Sequence, residues 1–116
     1  YVEFSTFEKF QRNFVAIDNN TLKPQAMYFV YAIYSSAFEK IYIGYSPDPE
    51  KRLSSHNDPK SRGWTHKFRP WKLIFTQKHS SKTAAFKREK QLKSAAGREF
   101  IWQLVWKGDT HFEHLQ

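Results

Sequence analysis

Three runs of aromatic and β-branched residues punctuate the chain and predict its strands. Tyr28 to Ser35 is the first and Ile41 to Ser46 the second. The short polar stretch Ala37 to Lys40 separates them, so the pair predicts a hairpin. Trp71 to Lys78 is a third strand. Between the second and third runs, Pro47-Asp48-Pro49 breaks the strand. Asp48 is placed to cap a helix with Pro49 at its first position, running to about Asn57. Asp58 to Pro70 reads as a basic loop. Ser80 or Ser81 caps a further helix through about Ala95, with Gly97 as its stop, and Phe100 to Trp106 predicts a last helix. On the Ser80/Ser81-capped helix the apolar stripe is Ala85, Phe86, Leu92 and Ala96.

Residues 1–26 carry a different pattern. Phe4, Phe7, Phe10 and Phe14 recur at helical spacing and predict a short amphipathic helix. Asp18-Asn19-Asn20 reads as a turn, and Pro24 ends any regular element. Met27 is the only methionine, and the strand pattern begins directly after it. The expectation is that Met27 is the natural start and residues 1–26 are upstream or added sequence. The alternative is an N-terminal extension that packs its phenylalanines on the domain. The chain thus divides into an extension (1–26), a domain (27–106) and a C-terminal tail (107–116).

Composition narrows the class. A chain of 116 residues, 40% of them hydrophobic, suits one domain with a small core rather than a disordered segment. Cysteine is absent, which removes disulfides, thiolate metal sites and cysteine nucleophiles. No apolar run approaches the roughly 20 residues that span a bilayer, and no signal-peptide pattern opens the chain, so a cytoplasmic protein is expected. The formal net charge is +8. Lys9, Arg12 and Lys23 balance Glu3, Glu8 and Asp18, which leaves the whole excess in residues 27–116. A basic domain rich in aromatics suits nucleic acid, although solubility alone also accounts for such charge.

A few side chains carry the candidate chemistry. Spacings of three and four place Glu89 in the middle of the apolar stripe, where a carboxylate is costly unless a cation or donors satisfy it. The plainer reading is a Glu at the stripe edge paired with an arginine. Arg52 and His56 are one turn apart and share a helix face. Such a pair suits a phosphate, the first as a fork on its oxygens and the second as a proton shuttle, but a solvated face is the commoner outcome. Tyr31 and Tyr42 lie on the paired strands. A phenol, with its ordinary pKa near 10, needs a neighbouring cation before it acts as a base. Gly44 shares a face with Tyr42 and leaves room for a close approach. The loop carries Lys60, Arg62, Lys67 and Arg69 with Trp64, His66 and Trp71 interleaved, a pattern that grips phosphates and stacks on unpaired bases. Trp71 reads as core; Trp64 reads equally as a stacking residue or as a cover for the sheet edge. The histidines lack metal-ligand spacing, and His111 and His114 fall in a tail expected to fray.

In order, these residues resemble the GIY-YIG nuclease superfamily, in particular its small stand-alone bacterial members and the N-terminal domain of the excision-repair incision protein. The resemblance runs from Tyr28 to about Leu104. It rests on Phe29-Val30-Tyr31 and Tyr42-Ile43-Gly44, then Arg52-Leu53, His56-Asn57, Arg69-Pro70-Trp71-Lys72-Leu73, Ala84 through Lys90, Lys93-Ser94 and Gly97 through Phe100. It implies an α+β fold, a three-stranded antiparallel sheet flanked by helices. It also implies divalent-metal-dependent cleavage of DNA phosphodiesters with Mg2+ or Mn2+. By position, Tyr31 and Tyr42 are the signature tyrosines, Arg52 stabilises the phosphate, Glu89 is the metal-binding carboxylate, and His56 matches a histidine of some members. The implied mechanism is hydrolysis by an activated water, with Tyr31 as general base and Tyr42 assisting. Tyr45 stands where some relatives have a lysine. No second domain that would select a target is recognisable, so low sequence specificity, on branched or damaged DNA, is expected. A non-catalytic nucleic-acid-binding module of the same fold is the rival reading.

Overall fold

The computed structural model describes residues 14–16, 22–24 and 27–113. Two short strands, β1 (Phe14–Ala16) and β2 (Leu22–Pro24), pair antiparallel ahead of the domain. Phe14, read at the end of a helical pattern, is therefore in a strand; Phe4, Phe7 and Phe10 lie outside the described residues.

The domain is built on three antiparallel strands, β3 (Tyr28–Ser35), β4 (Lys40–Ser46) and β5 (Lys72–His79), in the order β4-β3-β5. The first strand in sequence is thus the centre of the sheet. That placement agrees with its burial, since Phe29 through Ile33 are all within the core. The β3–β4 register sets Tyr31 opposite Gly44 and Ile33 opposite Tyr42. On the other side Tyr31 faces Thr76. A bulge interrupts the β3–β5 ladder between Ala32 and Ile33, so that Ile74 and Phe75, adjacent in sequence, both join one core cluster.

Three helices flank the sheet: α1 (Pro49–Asn57), α2 (Lys82–Lys93) and α3 (Ala95–Lys107). The α+β architecture inferred from the family resemblance is the one observed. Asp48 caps α1, its Oδ1 accepting from Lys51 N at 3.1 Å, and Ser81 caps α2. The end of α2 departs from expectation. The helix stops at Lys93, and Ser94 caps α3, its Oγ accepting from Gly97 N. Gly97 is therefore in the first turn of the next helix, not a stop signal. Its lack of a side chain has another cause: a Cβ there would run into the Gln91 carbonyl oxygen and the Leu92 backbone. The tight α2–α3 corner needs that close approach. Phe86, placed on the apolar stripe by spacing, is 41% exposed, whereas Ala85, Glu89 and Leu92 form the buried face.

The sheet supports two clusters. Val30, Ala32, Ile41, Ile43, Ile74 and Phe75 pack with Ala85 and Leu92 of α2 and Ile101 of α3. Tyr31, Ile33, Trp71 and Leu73 form the second cluster, against which Leu53 of α1, Tyr42 and Phe68 pack. The loop after α1 is not wholly irregular: Trp64–Phe68 is a 3-10 helix. Asn57 ties α1 to the start of β5, its Oδ1 accepting from Trp71 N at 2.6 Å and its Nδ2 donating to Trp71 O at 3.0 Å. The tail does not fray where His111 stands. His111 N donates to Ile74 O, Thr76 N donates to His111 O, and Glu113 N donates to Thr76 O, so the segment lies along the outer edge of β5. His114 lies outside the described residues.

The Asn57 bracket satisfies two backbone groups at once, and removing it leaves both without a protein partner. Asn57→Ala is expected to lower the stability to chemical denaturation by about 1–3 kcal/mol.

Candidate active site

Tyr31 is held in the middle of the sheet and is only 1% exposed. A phenol there needs a partner for its hydroxyl, and the partner is His56, whose Nε2 lies 2.9 Å away. On its other side His56 Nδ1 lies 3.0 Å from Thr65 Oγ1, and Trp71 Nε1 donates to Thr65 O at 2.8 Å. The 3-10 helix thus meets the imidazole at the last turn of α1, and Trp71, just before β5, holds Thr65 in place. Gly44 allows the arrangement from the opposite strand. A Cβ at that position would come 2.7 Å from the Tyr31 hydroxyl oxygen. The phenol therefore lies in space that only glycine leaves open.

Burial sets the proton affinities. It pushes the Tyr31 pKa up to about 12, against the opposing pull of the Arg52 guanidinium, with the Tyr42 and Glu89 charges adding to the rise. Burial, followed by the positive charge of Arg52, holds His56 down at about 4. At neutral pH the pair is a neutral phenol against a neutral imidazole.

Tyr42, Arg52, Ser55, His56, Trp64 and Thr65 line a cleft of about 270 Å³ together with Ser61 and Arg62. The Tyr42 ring stands edge-on to His56 with centroids 4.9 Å apart, and 6.3 Å from that of Tyr31. Arg52 is solvent-exposed on α1 while His56, one turn on, is buried, so the shared face runs from the mouth of the cleft to its floor. Glu89 reaches the group from a different element. It is buried on α2, with Lys93 Nζ 3.5 Å from its Oε1, and its link to the others is the charge it exerts on Tyr31. The paired arginine of the plainer reading is thus a lysine, half-exposed and one turn along the same helix.

The donor set fits one kind of metal. Among the described residues no group of three or more His, Cys, Asp or Glu side chains could hold an ion. A single carboxylate does not suit zinc, which takes three or four protein ligands. It suits Mg2+ or Mn2+, which keep much of their water shell and need few carboxylates.

The remaining sequence candidates lie around the rim. Lys60, Arg62 and Lys67 are exposed and line a basic groove of about 600 Å³ with Pro59, Ser61, Gly63 and His66. Arg69 is half-buried and folds back, its Nε donating to His66 O at 3.1 Å. Trp71 is core, at 4% exposure, and Trp64 is 46% exposed beside Tyr42. Tyr45 packs away from the cleft, against Tyr28 and Phe86. Thr65 is a site residue that sequence reasoning did not single out. It falls inside an apparently irregular basic loop, and no spacing links it to His56.

Comparison with known proteins bears on the same stretch. The profile of the GIY-YIG catalytic domain matches residues 27–100. The chain is similar to a UPF0213 protein of Natronomonas pharaonis, 35% identical over 69 residues, 60% of this chain and 80% of that protein. It is also similar to a UPF0213 protein of Staphylococcus haemolyticus, 33% identical over 69 residues, 60% of this chain and 83% of that protein. A third relative, from Haloquadratum walsbyi, is 32% identical over 81 residues, 70% of this chain and 89% of that protein.

Two outcomes are expected. Gly44→Ala should overpack the site, with a loss of about 1–3 kcal/mol in denaturant unfolding. His56, depressed in the folded state from 6.5 to about 4, contributes stability that is fully present above pH 6.5 and is lost as the pH falls through 4. Thermal melts across that window should therefore fall more steeply for the parent than for His56→Gln, by on the order of 3 kcal/mol. Parallel curves would contradict the depressed value.

Proposed function

The chain belongs to the GIY-YIG family of nucleases, and on that premise we propose that it is a divalent-metal-dependent DNA endonuclease of low sequence specificity. The observation that carries this reading is the Tyr31 hydroxyl poised on His56 Nε2 beneath a cleft that presents Tyr42 and Arg52. Three-stranded sheets with buried tyrosines are common; a buried phenol–imidazole pair under an exposed arginine is a means of moving a proton beside a phosphate.

In this mechanism Arg52 binds non-bridging oxygens of the scissile phosphate. Tyr31, with its pKa near 12, does not act as a standing phenolate. It relays: its hydroxyl proton passes to His56 Nε2 as it accepts a proton from the attacking water. His56 must then carry its own proton on Nδ1, donated to Thr65 Oγ1. The resulting hydroxide bonds to phosphorus and the bond to the leaving oxygen breaks, its electron pair staying on that oxygen, which takes a proton from solvent while His56 returns its proton to solvent. Tyr42, over the His56 ring, orients the water or the phosphate. Glu89 would hold the divalent cation, whose charge when bound offsets that of the phosphorane and the leaving oxygen.

The test is cleavage of supercoiled plasmid and of a branched oligonucleotide in Mg2+ or Mn2+. The parent should cut, chelation should stop it and added metal restore it. Glu89→Ala should lower the rate by about 10³-fold while DNA binding persists. Binding without cutting by the parent in either metal would favour the non-catalytic module.

A further inference from the structure

A line of rings, half-buried at Phe68 and exposed at Trp64 and Phe38, leaves the cleft in one direction. Trp64 lies 6.3 Å from Tyr42 in a near-parallel arrangement, at 30°. Phe68 follows Trp64 at 4.8 Å, and Phe38 follows Phe68 at 5.5 Å. Phe38 sits in the turn between β3 and β4, so the line runs from the floor of the cleft to the tip of the hairpin. Its two outer members are open to solvent, Trp64 at 46% and Phe38 at 48%. Phe38 contributes nothing to the cluster beneath, and Trp64, although its ring lies 5.9 Å from that of Trp71, leaves nearly half its surface in water. Leaving such rings in water costs free energy and marks a surface that is covered in use.

Charge identifies what covers it. Lys40 Nζ stands over the Phe68 ring at 5.4 Å. On the other flank Lys60, Arg62 and Lys67 line the basic groove, and Ser61 and Arg62 line both that groove and the cleft. A path for phosphates therefore runs continuously from Arg52 past Arg62, with flat apolar faces beside it. In a duplex the faces of the bases are consumed by their own stacking, and only edges reach a protein. Alternating cations and exposed rings match a strand whose bases are unpaired.

We propose that Trp64, Phe68 and Phe38 form a stacking platform for unpaired nucleobases adjoining the phosphate at Arg52, so that the substrate is single-stranded or flapped nucleic acid rather than continuous duplex. The proposal deepens the nuclease reading and rests on it for the cleavage step, but its binding test does not require cleavage. Fluorescence anisotropy with Glu89→Ala protein, at one fixed salt concentration, compares labelled oligothymidylate, its RNA counterpart and a continuous duplex. The single strand is expected to bind at least about tenfold tighter than the duplex. Phe38→Ala and Trp64→Leu, each added to that protein, should weaken single-strand binding by roughly 5–10-fold and duplex binding by less than about twofold. Phe38 is a solvent-facing turn residue, so its variant keeps the test decisive if the Trp64 variant fails to fold. The DNA and RNA arms separate the two sources of unpaired bases. Equal affinity for strand and duplex, equal losses on both, or binding of an acidic peptide in place of the strand would each overturn the platform. Tight single-strand binding with no cutting by the parent would sink the nuclease reading and leave the platform standing.

Discussion

The structure is organised around a phenol that has nowhere else to go. Tyr31 lies on the central strand, and its hydroxyl is pressed between the sheet and α1. A buried hydroxyl without a partner costs a few kcal/mol, so its environment must supply one. That single requirement fixes much of what surrounds it. The opposite position on β4 must lack a side chain, which accounts for Gly44. A hydrogen-bonding group must come down from above, which accounts for His56 being buried at the end of a mostly polar helix. The helix carrying it must be held in place, and Asn57, the next residue, grips both backbone groups of Trp71. Arg52 is then delivered to the mouth of the cleft by helical periodicity alone.

The cluster on the opposite face of the sheet keeps this arrangement rigid. Val30 and Ala32 alternate with Tyr31 along β3 and pack against the α2 and α3 side. One strand thereby joins the site to the main hydrophobic layer, and a shift of register by one residue would exchange them. The β5 edge is protected too. The segment around His111 occupies the outer side of β5, and Thr76, which neighbours Tyr31 in the ladder, exchanges hydrogen bonds with Glu113. The outermost described residues of the chain thus brace the strand beside the phenol.

How much of this could be read from the sequence depends on the range of the interaction. Strands β3 and β4 and the start of α1 were legible because their signals are local: aromatic and branched runs, and an Asp-Pro cap. Glu89 was legible because its anomaly, a carboxylate among apolar positions, survives in the helix. The α2–α3 corner was misread because Gly97 serves a packing need set by Gln91 and Leu92, and nothing local distinguishes that from a stop. Phe86 was misplaced because one-turn spacing cannot tell the buried face from its border, where the ring instead meets Tyr45 and Lys90. Thr65 and Phe38 were invisible. Each acquires its meaning only when a loop folds over a site formed by residues distant in sequence.

The low basicity of His56 is at first sight a defect in a proton acceptor, but its causes differ in permanence. Burial is fixed by the fold, whereas the repulsion from Arg52 depends on what Arg52 is holding. In the free protein the guanidinium has no phosphate, and its charge falls on the imidazole undiminished. In the proposed mechanism a phosphate held by Arg52 would offset the guanidinium, and the same ring would become a better base without any movement. Buried as it is, the Tyr31 phenol would pass its proton on only in step with receiving one. In the proposed mechanism the substrate thereby switches on the acceptor that its own hydrolysis requires. A histidine with an ordinary pKa at this position would be partly protonated near neutrality and would lose its free nitrogen before the phosphate arrived.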